Sequence, residues 1–348
     1  MKKFITSLFL LFFFLFGAGG PAYASESQRI IVKLKSFAPV SFLGQVEKLK
    51  LKDTYVLTVP QVSASRIVEA LKKNFYVEYV EEDAVAETLE APNDPNFGAQ
   101  WGLAKIQAPA AWDVTHGSGN VDIAIVDTGI NAGHPDLSGK IALSLNCTLS
   151  GCPPATTTDP DGHGTHVAGI ASAVTNNGLG VAGLAWEGRL MSVKVLDDNG
   201  SGYYSWIANG IIAAADAGAE VINLSLGGTS SSTTLESAVN YAWNKGAVVV
   251  AAAGNNGRNR RLYPAYYPNV IAVAATDQND KKASFSNYGT WVEVAAPGVS
   301  IYSTYGDSYA NLSGTSMSTP FVSGLAGLLF GQHPDWNNAQ VRNQIQST

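Results

Sequence analysis

Five short runs constrain the fold more than any other feature of the chain. Val121 to Val126, Leu190 to Leu196, Val221 to Leu226, Ala247 to Ala252 and Val270 to Ala275 are apolar at nearly every position. Helical spacing marks the stretches among them, Thr165 to Thr175, Tyr204 to Ala217 and Ser232 to Lys245. A strand with one wet face alternates apolar and polar residues, so a strand apolar throughout must be covered on both faces. Such strands separated by helices predict an α/β fold, a mostly parallel sheet with helices on both faces. Ligands of these sheets bind beyond the carboxyl ends of the strands. Asp127, Ser225 and Asn255 all fall there. A later run, Tyr288 to Thr304, reads as an antiparallel hairpin.

The chemistry-bearing residues cluster in three blocks. Gly314-Thr315-Ser316-Met317-Ser318-Thr319-Pro320 leads into an apolar helix-like run, Phe321 to Phe330. Ser316 is thereby placed at a helix N-terminus, where free N–H groups and the dipole favour developing negative charge. A serine hydroxyl attacks only if a base takes its proton. Asp161-Gly162-His163-Gly164-Thr165-His166 opens another helix and offers that base, and Asp127 closes a buried strand. Taken singly, Asp127 reads equally as a turn former, His163 as a structural histidine and Ser316 as a helix cap. Their order, Asp then His then Ser, is one of the chain orders of a catalytic triad. His166 competes with His163. The His-x-x-His spacing also raises a metal reading, but the Glu of a zinc-protease His-Glu-x-x-His is missing.

The N-terminus reads as a secretory signal: Lys2-Lys3, an apolar run from Phe4 to Phe16, and an Ala22-Tyr23-Ala24 cleavage site. The alternative, a membrane anchor, needs about 20 apolar residues. Short strands around a helix follow: Gln28 to Lys35, Tyr55 to Val59, the helix Ser63 to Asn74, and Val77 to Val80. They suggest a small α+β domain, and the polar run Glu90 to Pro95 marks its junction. With 46% hydrophobic and 14% charged residues the chain is a globular protein. Its net charge of −6 argues against nucleic-acid partners. Two cysteines, Cys147 and Cys152, lack histidines at ligand spacing. Export would allow a disulfide between them; two free thiols in a surface loop are the alternative.

With these blocks in this order, the chain resembles the subtilisin-like serine proteases, the subtilases, and among them the thermitase type. The resemblance runs from near Arg29 through Pro92-Asn93-Asp94-Pro95, the three blocks and Gly227-Gly228 to the end of the sequence. It implies a subtilisin fold and a secreted serine endopeptidase, probing proteins and peptides as substrates and usually a monomer. It divides the chain into a signal peptide (1–24), a propeptide that chaperones and inhibits its own enzyme (25–91), and a peptidase domain (92–348). Family members run on for roughly 25 to 30 residues past the position of Thr348, which implies a C-terminally incomplete domain.

The same resemblance assigns residues. Asp127, His163 and Ser316 match the triad. Asn255, in Ala251-Ala252-Ala253-Gly254-Asn255, matches the oxyanion-hole asparagine. Ser225-Leu226-Gly227 and Ala252-Ala253-Gly254 match the two substrate-binding walls, with Leu262 near the base of the pocket for the residue before the cut. This implies a preference for large apolar or aromatic residues there. Asp94, Asp136 and Asn177, with the carbonyls of Val174, Leu179 and Val181, match a calcium site. A second calcium site of thermitase-like proteins is not carried over, because Asn146 to Thr158 lacks its aspartates. Ser318 and Phe321 also depart from the family pattern of Ala and His at those positions.

Overall fold

The computed structural model describes residues 27–85, 91–156 and 158–347. The expected signal peptide lies outside these residues, as do residues 86–90 near the end of the expected propeptide. The chain divides into two compact units at residue 88.

The first unit holds β1 (Ser27–Leu34), β2 (Glu47–Lys48), β3 (Thr54–Pro60), α1 (Gln61–Lys72) and β4 (Val77–Glu82). The strands form an antiparallel sheet in the order β2-β3-β1-β4. In β1 every second side chain, Ile30, Val32 and Leu34, is buried, as a sheet with one covered face requires. Ala64 and Leu71 of α1 join Leu57, Val59 and Val77 in that core.

The second unit begins with two short helices, α2 (Trp101–Lys105) and α3 (Ala108–Trp112). Then come β5 (Asp122–Asp127), β6 (Ile141–Asn146), α4 (His163–Ser172), β7 (Arg189–Lys194), α5 (Tyr204–Asp216), β8 (Val221–Leu224), α6 (Thr233–Asn244), β9 (Val248–Ala252), β10 (Ile271–Thr276) and β11 (Val294–Pro297). The ribbon β12 (Ile301–Tyr305) and β13 (Ser308–Leu312) and the helices α7 (Thr315–Gln332) and α8 (Asn338–Gln346) complete it. Seven strands form one sheet in the order β11-β10-β9-β8-β5-β7-β6, and every pairing in it is parallel.

Period two along β5 explains both cores. Ile123 and Ile125 face a core shared with Val167 of α4, Phe321 of α7 and Val341 of α8. Ala124 and Val126 face the opposite core, with Ile207 and Ile211 of α5 and Leu235 and Val239 of α6. Each fully buried Ile or Leu contributes about 1.5–3 kcal/mol. The helices also carry the caps that their sequences announce. Ser232 accepts from Leu235 N at the start of α6, and Asn337 and Gln340 form a capping box on α8.

One reading changes. The antiparallel hairpin is β12–β13, with Ile301 paired to Leu312, and not Tyr288 to Thr304. The earlier segment instead supplies β11, which extends the parallel sheet beside β10. The edge strand β6 was not anticipated. Only Leu145 of its six residues is fully buried, so it lacks the unbroken apolar run of the inner strands. Beyond β6 the chain turns back through the Cys147–Cys152 disulfide, and Asn146 N donates to Pro153 O at 3.0 Å.

The strand order reverses between β5 and β8: successive strands after β5 fill one side of it and then the other. A crevice opens beyond the carboxyl ends at such a point. Asp127 ends β5 and Ser225 follows β8, so both stand at its mouth.

Candidate active site

Asp127 is fully buried, and its Oδ1 accepts from Thr128 N at 2.8 Å and lies 2.7 Å from His163 Nδ1. Its Oδ2 has no partner among the described residues. His163 is the first residue of α4, and four contacts fix that turn. Asp159 accepts from Gly162 N, Thr165 N and Thr165 Oγ1, and Thr128 Oγ1 accepts from Gly164 N. Gly162 has φ +86°, and a Cβ on it would sit 2.7 Å from the Tyr305 ring, so only glycine fits.

Burial alone would lower the His163 pKa. The facing Asp127 carboxylate, with Asp161 and Asp159, together outweighs it, and the imidazole is pushed up to about 9. The sign follows from linkage. The ion pair's contribution to stability is complete below about pH 6.5 and is lost as pH rises through about 9.

The ribbon β12–β13 grips the same helix. Ser303 Oγ donates to His166 O at 2.9 Å, and Thr304 Oγ1 donates to Thr165 O at 2.7 Å. His166 is fully buried, with Nε2 3.1 Å from the carbonyls of both Ile301 and Ala310. Burial holds its pKa down at about 4, so it is a neutral packing residue tied to the ribbon.

Ser316 lies in the first turn of α7. Its Oγ donates to the carbonyl of Ser225 at 3.0 Å, and its own carbonyl accepts from Ser225 Oγ at 2.8 Å. Pro320 explains the second bond. Four residues after Ser316, it has no N–H to give, so the Ser316 carbonyl is left for another donor. Ser225 Oγ also accepts from Asn223 Nδ2, while Asn223 Oδ1 accepts from Ser323 Oγ. This buried chain links β8 to α7 beneath the serine, and sequence reading did not reveal it. Asn223 looks like any strand residue until the helix is laid over it.

Asn255 follows β9. Its Oδ1 accepts from both Thr315 N and Thr315 Oγ1 at 2.9 Å. With the carbonyl end so held, the Nδ2 end is the free donor, and it has no acceptor among the described residues. Thr315 also accepts from Gly254 N at 3.0 Å. A threonine beside the serine thus orients the asparagine, a role that its sequence position did not announce. Beneath α7, Ser318 Oγ donates to Ala296 O at 3.0 Å, which satisfies the unexpected hydroxyl. Phe321 is buried against Gly102.

The crevice beside these groups is about 550 Å³ and is lined by Thr128, Asp161, His163, Gly200 to Gly202, Tyr204 and Ser225 to Gly228. Leu262 stands between the two expected walls. A Cβ on Gly227 would lie 2.6 Å from its Cδ2, and one on Gly254 3.0 Å from the same atom. Ser225, Leu226, Ala252 and Ala253 are buried.

The expected metal ligands also converge. Asp136 is fully buried and Asp94 is 4% exposed. Asp136 accepts from Asn177 Nδ2, Val181 N and Tyr309 Oη, and Asp94 accepts from Asn176 N and Asn177 N. Burial pushes the Asp94 pKa up, N–H donors from Asn176 and Asn177 oppose this, and the Asp136 charge adds to it. Neither carboxylate has an ion-pair partner among the described residues. No group of three His, Cys, Asp or Glu side chains gathers among them either. Two buried carboxylates beside a turning main chain form an all-oxygen set that suits a hard cation better than a soft one.

Comparison with known proteins gives a consistent result. A model of the subtilase family matches residues 118–348. A thermophilic serine proteinase of Bacillus sp. (strain AK1) is 50% identical over 319 residues, 91% of this chain and 78% of that protein. Thermitase of Thermoactinomyces vulgaris is 57% identical over 259 residues, 74% of this chain and 91% of that one. Among solved structures, sphericase superposes with a TM-score of 0.63 at 40% identity, over 66% of this chain and 83% of that one.

Proposed function

The chain belongs to the subtilase family of serine proteases, and on that premise we propose that it is a secreted endopeptidase working through Ser316, His163 and Asp127. The observation that carries this reading is the 2.7 Å pairing of a fully buried Asp127 with a cleft-facing His163. Ser316 turns from Ser225 O to His163 Nε2 when substrate enters. His163 takes its proton as Oγ attacks the scissile carbonyl, then returns it to the leaving amine, and water releases the acyl group by the same route. Asp127 fixes the tautomer with Nδ1–H inward and stabilises the imidazolium. Asn255 Nδ2 and Ser316 N–H bind the oxyanion, and in subtilisin, the reference case, losing one such donor costs about 2.7–4 kcal/mol.

An extended substrate pairs with the main chain of Ser225-Leu226-Gly227 and Ala252-Ala253-Gly254. The side chain before the cut enters between these walls toward Leu262, an apolar floor that accepts large apolar or aromatic groups. Matched peptides differing only there are expected to be cleaved faster with Phe than with Lys. Equal rates would refute the pocket assignment, and no cleavage of any peptide would refute the protease assignment.

Residues 25–91 serve as a propeptide, a folding aid and intramolecular inhibitor removed by the enzyme itself. Among the described residues no helix is long and apolar enough to cross a membrane. Calcium fits the Asp94, Asp136 and Asn177 group with the carbonyls of Val174, Leu179 and Val181, and supplies the charge that two buried carboxylates lack. Binding at about 100 times its Kd would add about 2.7 kcal/mol. Chelation is therefore expected to lower Tm by about 5–10 °C. An Asp136→Asn variant should show little further loss, and an unchanged melting curve after chelation would count against the site.

A further inference from the structure

Apart from His163, the crevice lining carries one charged side chain, Asp161. It is held in place. Its carbonyl accepts from Tyr305 Oη at 3.0 Å, and its Oδ1 accepts from His163 N at 3.2 Å. The other oxygen, Oδ2, faces Gly200, where a Cβ would lie only 3.2 Å away. Gly200, which also lines the crevice, has no side chain to cover this oxygen. No Lys or Arg pairs with Asp161 among the described residues. The result is a fixed, half-exposed carboxylate edge, two residues from the base, in a crevice whose lining side chains other than His163 are uncharged.

We propose that Asp161 is a specificity residue that selects substrates with a lysine or arginine near the cut on the acyl side. The side follows from the proposed function: Asp161 shares the crevice with Ser225 to Gly228, one of the two walls assigned there to the peptide chain before the cut. A cationic side chain entering between Gly200 and His163 meets Oδ2 and gains a charge-assisted hydrogen bond. A glutamate entering there meets a like charge. This selection acts at a position other than the one against Leu262, and it rests on the serine-protease reading above.

The test is a peptide series with Lys, Ala or Glu at each position around a fixed cleavage site. At one acyl-side position the Lys/Ala ratio of kcat/KM is expected to be about fivefold, the upper end for a part-exposed ion pair, with Glu disfavoured to a similar degree. The preference should shrink toward unity in 1 M salt, where the Debye length falls to about 3 Å. Asp161→Asn keeps an acceptor for His163 N and should bring the Lys/Ala ratio to about one. Using ratios within each enzyme removes any change in the His163 pKa. A ratio of one at every position in the wild type, a salt-independent ratio, or an unchanged ratio in Asp161→Asn would each overturn the proposal. Absence of cleavage of all peptides would instead overturn the protease reading beneath it.

Discussion

Replacing Ser316 with alanine is expected to lower kcat by about 10⁶-fold, the scale known for the nucleophile of subtilisin, while leaving the fold intact. The Ser316 hydroxyl makes one hydrogen bond, to Ser225 O. Its loss costs about 1 kcal/mol of stability at most, since the Ser225 carbonyl can be reached by water. The carbonyl of residue 316 still receives Ser225 Oγ in the variant. Mass spectrometry of the chain expressed from Ser25 gives the cleanest measurement. The wild type should lose a segment ending near residue 91, and Ser316→Ala should remain whole. Processing that is equally complete in both would assign the cut to another protease and remove this support for Ser316.

Asp127→Asn is expected to lower kcat by about 10⁴-fold, through the state of the histidine rather than through loss of a reacting group. An amide here can present N–H to Nδ1, which favours the tautomer with its proton on Nε2, and that tautomer cannot accept from Ser316. The pH profile carries a second signature. Asp127 is the main influence raising His163 toward 9 against the lowering effect of burial. In the wild type the neutral imidazole grows in as pH rises through this region, so the acid limb of kcat/KM lies well above 6.5. Without the carboxylate, burial is opposed only by the smaller effects of Asp161 and Asp159, and the limb moves to lower pH. A limb that stays in place in Asp127→Asn would show that another group controls it.

Sequence and structure agree best where a local pattern has a global cause. The inner strands are buried at every position, and apolar at most of them, because helices cover both faces, and so β5, β8 and β9 could be read directly. The positions of Asp127 and Asn255 at strand ends followed from that pattern. The edge strand β6 and the ribbon β12–β13 are only partly buried, and their residues carry a weaker signal. The supporting side chains were illegible for another reason. Thr315 and Asn255, and Asn223 and Ser323, act across 60 and 100 residues of chain, through hydrogen bonds that exist only once the elements are stacked. Sequence spacing reports neighbours on one element, whereas these contacts join different ones.

The all-parallel sheet also sets when the chain can first become active. Each parallel pairing needs a crossover, so no two adjacent strands form a self-contained hairpin. Asp127 and His163 leave the ribosome long before Ser316, and the ribbon that grips α4 arrives only just ahead of that serine. On the triad proposed above, a growing chain carries Asp127 and His163 through synthesis without Ser316, and without the 303–304 hydroxyls that hold the helix bearing His163. On that proposal, the order of the three blocks along the chain leaves every partly made chain without its nucleophile until α7 is added.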